Sequence, residues 1–369
     1  MGLKILQLGK FYPIKGGVEK VMYDLMTGLS EKGTDCDMMC ASFERDSRDM
    51  VINSHASLKL CGSLTQKAAT MISPAMIFRL RDVCDGYDII HVHHPDPMAA
   101  LALFCSGYKG KVVLHWHSDI EKQKWLLKLY KPLQRWLLRR ADRIVGTTPV
   151  YLAESPFLRD FQDKTFCLPI GIDEVCVDER RAEEIKRRYA GKKIVFSLGR
   201  LVPYKGYRWL VEAAKYLDDS YVVLIGGSGV LKNELQSEID GLGLNGKVEL
   251  LGRVSDEDLP AYYGACSVFC MSSVQKTEAF GIVQIEAMSC GKPVVATRIP
   301  HSGVAWVNED GVSGLNAEPK NAKALAEAIM NVVDGGRYEV FANNARLRYE
   351  NEFTRERMIN RCLNLYGGL

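Results

Sequence analysis

Several absences bound this 369-residue chain before any motif does. Its eleven cysteines include no C-x-x-C pair, and the odd count without framework spacing excludes a disulfide scaffold and points to reduced thiols. Cys36, Cys40, Cys266 and Cys270 lie in apolar surroundings and read as small core residues. No window reaches eighteen uncharged apolar residues, so no transmembrane helix is expected. The opening run Met1-Gly-Leu-Lys-Ile-Leu-Gln-Leu-Gly9 is too short for a signal peptide and reads as a first strand, so a cytoplasmic location is expected. A net charge of only +3 gives no argument for a nucleic-acid partner. There is no G-x-G-x-x-G run, hence no dinucleotide fingerprint, and no short-period repeat or low-complexity segment.

What is present suits two soluble cores. The length favours two domains of about 170 residues each, and 47% hydrophobic with 25% charged residues is ordinary globular composition. Strand-like runs fall at Leu3–Leu8, Asp37–Ala41, Leu58–Cys61, Asp88–His93, Lys111–Trp116 and Arg143–Gly146. A second series falls at Ile194–Leu198, Tyr221–Ile225, Lys247–Leu251, Val268–Met271 and Val294–Ala296. Helical patterns alternate with them, as where Val18, Val21, Met22, Leu25 and Leu29 share one face. Others cover Tyr207–Leu217, Leu231–Leu242, Ser255–Ala265, Asn321–Val333 and Arg337–Glu352. Such alternation predicts an α/β chain with parallel, doubly wound sheets that gather ligands at the carboxyl ends of their strands.

The densest chemistry lies in Lys276–Thr297, which reads as a loop, a helix over Gly281–Ser289, a Gly-Lys-Pro turn and a buried strand. A helix N-terminus presents unpaired N–H groups to an anion. Glu278 and Glu286 flank it as acceptors for sugar hydroxyls. Arg200 and Lys205 follow a buried strand, on a loop expected to face solvent. A guanidinium fork and an ammonium there suit a diphosphate, and Gly206 permits close approach. Gly16-Gly17 precedes a helix, and Gly226-Gly-Ser-Gly229 lies between a strand and a helix. Singly, each feature has an ordinary structural explanation as a cap, a turn or a polar face.

Together they resemble a known family. Lys276–Thr297 resembles the E-x7-E motif of retaining glycosyltransferases of family four. Leu198-Gly-Arg200-Leu-Val-Pro-Tyr-Lys205-Gly206 is similar to that family's diphosphate signature, and Lys15-Gly-Gly-Val-Glu19 to its first glycine loop. Leu168-Pro-Ile-Gly-Ile-Asp173 resembles its P-x-G-I-D segment, and the likeness spans nearly the whole chain. The resemblance implies a GT-B fold, two Rossmann-like domains facing each other across a cleft. Residues 1–170 would take the acceptor side, 171–352 the nucleotide sugar, and 353–369 a helix crossing back to the first domain. It also implies a donor site of Gly16, Gly17, Arg200, Lys205, Glu278, Ala279, Phe280, Gly281, Ile282 and Glu286. Arg200 and Lys205 would stabilise the leaving diphosphate, Glu278 the hexose and Glu286 the ribose. The His-Ser-Asp run at 117–119 resembles the segment whose histidine lies beside the transferred sugar. That assigns His117 a catalytic role, with His115 the alternative under a shift of two. Retention of configuration rests on the resemblance alone, and no protein nucleophile stands out. GDP-mannose and UDP-sugars both fit as donors, with a lean to mannose; no metal or other cofactor is expected.

Three features test this picture. Five of seven histidines cluster at two strand ends (His91, His93, His94, His115 and His117), so a metal site is the sharp alternative there. Two D-x-D triplets, Asp35-Cys-Asp37 and Asp256-Glu-Asp258, read as turn and capping residues rather than metal ligands. Finally, Glu121–Arg143 carries eight Lys or Arg residues, while Trp125, Leu126, Leu129, Leu133, Trp136 and Leu137 recur at helical spacing. Pro132 is expected to kink this helix or start a new segment. A basic amphipathic helix with Lys124, Trp125, Lys128, Arg135 and Trp136 suits an anionic membrane surface and a lipid-linked or glycan acceptor. The rivals are a soluble acceptor, as in sucrose- or glycogen-synthase-like enzymes, and a non-catalytic sugar-nucleotide scaffold.

Overall fold

The structure is a computed structural model describing residues 2–67, 70–120 and 124–369, with residues 67, 70 and 124–127 described by backbone alone. The chain divides into two compact units, Met1–Ile170 with Arg355–Leu369, and Gly171–Thr354.

The first unit carries strands β1 (Lys4–Tyr12), β2 (Asp35–Ser42), β3 (Arg48–Asn53), β4 (Ala56–Cys61), a small hairpin of β5 (Thr65–Lys67) and β6 (Thr70–Ile72), then β7 (Ile89–His94), β8 (Lys111–Trp116), β9 (Arg143–Gly146) and β10 (Thr165–Cys167). Its helices are α1 (Gly17–Glu31), α2 (Pro74–Val83), α3 (Pro97–Ser106), α4 (Lys124–Arg140) and α5 (Pro149–Glu154), joined at the far end of the chain by the terminal helix (Arg355–Gly367). The main sheet runs β10-β9-β8-β7-β1-β2-β4-β3. Every pairing in it is parallel except β3 against β4. Central strands are buried on both faces, as at Ile5, Leu6 and Leu8, which is why they read as continuous apolar runs. β3 went unexpected because it is a largely exposed edge strand with little apolar alternation, a composition that discourages further pairing. The helix α4 continues through Pro132, so no new segment starts there. Lys128 and Pro132 both lie on the exposed side, where a carbonyl that loses its N–H partner to proline is open to solvent.

The terminal helix is tied to α1. Arg355 spans Glu31 at 2.6 Å and Thr27 Oγ1 at 2.8 Å, and Ile359 fills the space beside Gly28.

The second unit has six parallel strands, β11 (Lys193–Leu198), β12 (Tyr221–Gly226), β13 (Val248–Gly252), β14 (Val268–Met271), β15 (Val294–Thr297) and β16 (Gly314–Ala317), in the order β13-β12-β11-β14-β15-β16. Around them lie α6 (Glu179–Arg188), α7 (Tyr207–Ala213), α8 (Lys232–Gly241), α9 (Leu259–Ala265), α10 (Ile282–Ser289), α11 (Val304–Val307), α12 (Ala322–Asp334) and α13 (Tyr338–Arg348); the terminal helix is thus α14. Val195, Val223, Val268 and Val295 of the sheet pack with Leu210, Leu235, Leu325 and Ile329. Several helices are shorter than expected: α7 ends at Ala213 in a tighter turn over Ala214–Tyr216, and α8 lacks Leu231 and Leu242 at its ends. α9 begins at Leu259, after Ser255 and Asp258 have formed a hydrogen-bonded turn, and α13 ends at Arg348 in a wider turn over Tyr349–Phe353.

The glycine turn after β12 buttresses the loop that carries Arg200. Gly199 N–H donates to Gly226 O at 3.0 Å and Leu201 N–H to Ser228 O at 2.9 Å. Gly227 adopts φ +134°, and a Cβ there would stand 1.9 Å from Gly199 O. Gly227→Ala should therefore cost about 3 kcal/mol of stability, because backbone must move and the conformation is one that L side chains avoid. Denaturant unfolding of G227A checks this, and an unchanged midpoint would contradict it.

Candidate active site

In the second unit the site grows from the carboxyl ends of β11, β14 and β15. Arg200 leaves β11 exposed, its Nη2 donating to Tyr204 Oη at 3.0 Å. Lys205 closes a short turn, and its Nζ meets Glu278 Oε2 at 2.5 Å, with each side chain only 12% exposed. Lys205 is therefore not on a solvent-facing loop as expected, and the groups assigned to diphosphate and hexose touch each other. Ser273 Oγ donates to the same Glu278 oxygen at 3.1 Å. Ser302 Oγ donates to the Glu278 carbonyl, Gly303 N–H to Ala279 O, and Thr297 Oγ1 to Ser273 O. These bonds fix the loop by both its side chains and its backbone.

Gly281, at φ +80°, caps α10, so the helix begins at Ile282, one residue later than expected. A Cβ on Gly281 would lie 2.7 Å from Met271 Sδ, so the position combines a left-handed backbone with a close approach. Gln284 Nε2 ties back to Phe280 O at 2.9 Å. The Phe280 ring is buried edge-on to Phe353, so only its backbone is left to meet a ligand, whereas Ala279 and Ile282 remain partly exposed. Glu286 accepts a 2.5 Å hydrogen bond from buried Tyr263, whose hydroxyl is pushed well up in pKa by burial and then by the Glu286 carboxylate.

In the first unit, Gly16 and Gly17 are exposed at the start of α1, and Gly16 is its cap. Glu19 folds back over Gly16. Burial raises its pKa, opposed by the Lys10 charge and the Gly16 N–H. The β1 register shifts between Leu8 and Phe11, where Lys10 has φ +56°. Its N–H reaches the buried Asp96 carboxylate at 2.5 Å, and its Nζ the Pro95 carbonyl at 2.6 Å. Asp96 also caps α3 through Met98 and Ala99 N–H. Lys10 and Asp96 were not singled out from the sequence; Asp96-Pro97 before an apolar run was the available capping signal.

The histidines divide between the two faces of the sheet. His94 stacks on Trp116 at 3.7 Å between ring centroids and meets Gln134 of α4. His91, His93, His115 and His117 stack on the opposite face, with His115 and His117 centroids 3.9 Å apart, so these two point the same way, as strand geometry required. His117 follows β8 directly. Its N–H donates to His94 O, while nearby Asp119 is held by Trp116 Nε1 at 2.9 Å and Ser155 Oγ at 2.7 Å. Nitrogens of His91, His93 and His115 lie within 4.8 Å of one another. However, the rings are within 29° of parallel, so their in-plane lone pairs run alongside one another rather than converge on an ion. Three of the four D-x-D carboxylates have structural partners: Asp35 with His55, Asp37 with Ser57 and Tyr87, and Asp258 with Arg181.

On α4, residues 121–123 and the side chains of Lys124 and Trp125 lie outside the described residues. Tyr130, Gln134, Leu137 and Leu138 form the buried face. Leu129 is 68% exposed, and Leu133 and Trp136 are partly exposed, with Lys128, Lys131, Arg135 and Arg139 exposed around them. The apolar stripe read from the sequence thus divides, Leu137 going to the core and Leu129 to the surface. No helix among the described residues is long and apolar enough to cross a membrane.

Burial holds His91, His93, His94 and His117 well below the usual imidazole range and His115 down to about 3. Depressed folded values contribute stability that is present above the unfolded pKa of about 6.5 and lost as pH falls. Glu19, Asp96 and Glu238, raised by burial, act with the opposite sign, but three carboxyls face five rings. Unfolding free energy should fall as pH drops from 6.5 toward 4, by up to about 1.4 kcal/mol per pH unit for each ring kept neutral. Denaturant titrations across that range check this, and a flat profile would contradict it.

Comparison with known proteins places both units. Residues 15–174 match the model described as Glycosyltransferase Family 4, and residues 178–348 the model described as Glycosyl transferases group 1. The chain is 32% identical to O-antigen chain mannosyltransferase C of Escherichia coli, over 100% of this chain and 99% of the relative. It is 30% identical to D-rhamnosyltransferase WbpZ of Pseudomonas aeruginosa, over 95% and 92% respectively. Among solved structures, Anabaena Alr3699/HepE in complex with UDP superposes with a TM-score of 0.79 at 20% identity, each chain covered fully. Sucrose-phosphate synthase from Thermosynechococcus elongatus superposes at 0.80 with 22% identity, over 100% of this chain and 99% of the other. The chain belongs to family four of the glycosyltransferases and has their GT-B fold of two Rossmann-like α/β units.

Proposed function

We propose that this glycosyltransferase moves a hexose, with retention of anomeric configuration, from a nucleotide-diphosphate sugar to a glycan or lipid-linked acceptor. The observation that carries the reading is the grouping of Arg200, Lys205, Glu278 and the start of α10 at the carboxyl ends of one parallel sheet. Exposed Arg200 and the first-turn N–H groups of α10 are positioned to meet diphosphate oxygens, and they would offset the charge that grows there as the glycosidic bond breaks. Lys205 shares its charge between that diphosphate and Glu278, while Glu278 accepts from hexose hydroxyls and Glu286 from the ribose. His117 is assigned, on the family resemblance alone, the place beside the transferred sugar. The acceptor hydroxyl attacks from the face the diphosphate leaves. This set of cations requires no metal. GDP-mannose is the first donor to try, since the Escherichia coli relative that matches over its whole length is named a mannosyltransferase. UDP-sugars are the second, since the Anabaena structural neighbour was solved with UDP and with UDP-glucose.

The deciding experiment is a transfer assay over a panel of nucleotide sugars, with the product anomer read by NMR. A retained anomer, at a rate unchanged by EDTA, is expected. Inversion would contradict the mechanism, and loss of rate to EDTA with rescue by Mn²⁺ or Mg²⁺ would contradict metal independence. Arg200→Ala should cut turnover about 100-fold with unchanged stability, because its side chain is exposed. Lys205→Ala should cut turnover and also cost on the order of 2–3 kcal/mol, since it strands a largely buried carboxylate. Turnover of R200A within a few-fold of wild type would remove it from the diphosphate site.

The acceptor is proposed to lie at an anionic membrane surface, which α4 meets with Leu129, Leu133 and Trp136 inside a ring of basic side chains. The protein should co-sediment with anionic vesicles and not neutral ones, more weakly as salt rises, since exposed charges are screened within about 8 Å at physiological ionic strength. Lys128→Glu with Arg135→Glu should release it and leave transfer to a short soluble acceptor intact. Wild type that ignores anionic vesicles at low salt would favour a soluble acceptor.

A further inference from the structure

A chain of buried polar side chains crosses one face of the first unit's sheet and ends at His117. It starts on α14, where Tyr366 Oη lies 2.6 Å from His91 Nδ1 and 3.2 Å from Gln7 Nε2. Gln7 sits in the middle of β1 and is fully buried. Its Nε2 also faces Cys36 Sγ at 3.7 Å, and its Oε1 faces His93 Nε2 at 2.8 Å. His93 Nδ1 then meets His117 Nε2 at 2.9 Å. The donor site uses neither Gln7 nor His93, and the sequence singled out His93 only as one of the clustered histidines.

Proton positions along this chain follow from one choice, the orientation of the Gln7 amide. With its NH₂ toward Tyr366 and Cys36, both N–H groups and the carbonyl oxygen have partners. Turned over, the NH₂ would meet only His93 and leave one N–H unsatisfied in a dry site, which a buried amide avoids. Gln7 Oε1 is thus an acceptor, so His93 Nε2 carries the proton. Burial keeps both rings neutral, which makes His93 Nδ1 an acceptor and puts the remaining proton on His117 Nε2. His117 Nδ1 is then a bare lone pair, with no hydrogen-bond partner among the described residues, on a ring that keeps 6% of its surface exposed.

We propose that Gln7 and His93 are positioning residues for glycosyl transfer: through their hydrogen-bonded chain they hold His117 as the Nε2–H tautomer, so that Nδ1 accepts from a hydroxyl of the transferred sugar. This rests on the reading of His117 as the residue beside that sugar. The opposite tautomer would present a donor N–H there and could not accept. Because Gln7 anchors the other end, the protonation of a ring at the strand ends is set from the middle of β1.

Long-range proton–nitrogen NMR of histidine-labelled protein tests the lock directly, with the His117 signals assigned by their loss in His117→Asn. Wild type should show His117 protonated at Nε2 and bare at Nδ1. Gln7→Met, which keeps the volume and removes both hydrogen-bonding ends, should show a mixture of tautomers. Its kcat should fall about tenfold, as for one lost hydrogen bond, with the donor KM little changed. Gln7→Glu restores an acceptor to His93 Nε2 and should transfer faster than Gln7→Met, although a buried charge makes it the less stable protein. A role in packing alone would rank the activities with the stabilities, and that ranking would overturn the proposal. So would a wild-type His117 protonated at Nδ1, or a Gln7→Met protein with an unmixed tautomer. A wild type that transfers no sugar from any donor would sink the glycosyl-transfer reading instead, and the NMR result on the lock would stand apart from it.

Discussion

The second unit is organised by the ion pair between Lys205 and Glu278. Two charges at 2.5 Å with little exposure are tolerated only if their geometry is held, and the neighbouring loops supply that hold. Ser273 and Ser302 arrive from the ends of β14 and β15 to bond the Glu278 side chain and backbone. The turn after β12 packs its glycines on Gly199, which fixes the exit of the chain toward Arg200 and Lys205. Three strand ends thereby converge on one carboxylate. These contacts hold the loops in place, so the donor site proposed there would be preorganised, with Arg200 exposed beside it.

The first unit solves a related problem without an ion pair. Four stacked imidazoles, a glutamine and a tyrosine lie across a sheet face that is otherwise apolar, and burial forces the rings to be neutral. Neutral rings need donors matched to acceptors, so a glutamine in mid-strand can dictate the tautomer of a histidine at the strand end. Tyr366 makes α14 part of that arrangement, which gives the terminal helix a chemical as well as a packing connection to β1 and β7.

Alternating apolar runs and amphipathic stretches made the parallel sheets legible, because doubly covered strands such as Val223–Ile225 admit almost nothing polar. Some edge strands escaped: Arg48–Asn53 is mostly exposed, and Gly314–Ala317 mixes glycine and asparagine into a four-residue run with no apolar signature. Arg200, Lys205, Glu278 and Glu286 stood out through the resemblance of their motifs to the family's, but a motif does not say that Lys205 and Glu278 pair, which depends on how separate loops fold. Gln7 was invisible for a different reason. It interrupts an apolar strand as an apparent solvent-facing polar residue, and only the register of β1 on β7 places it beside the histidines. The basic stretch at 121–143 showed its amphipathic character, yet its buried face includes Gln134, a polar residue turned in to meet His94, which an apolar pattern does not reveal.

Whether Lys205 and Glu278 work on the donor as a single unit is the central question, and a double-mutant cycle on kcat/KM answers it most directly. The four proteins are wild type, Lys205→Ala, Glu278→Ala and the double variant, each assayed with the same nucleotide sugar. A coupled pair predicts that each single change removes most of the activity and that the double change removes little more, a coupling energy on the order of 2–3 kcal/mol. Losses that simply add would show two side chains acting independently and would contradict the site described here.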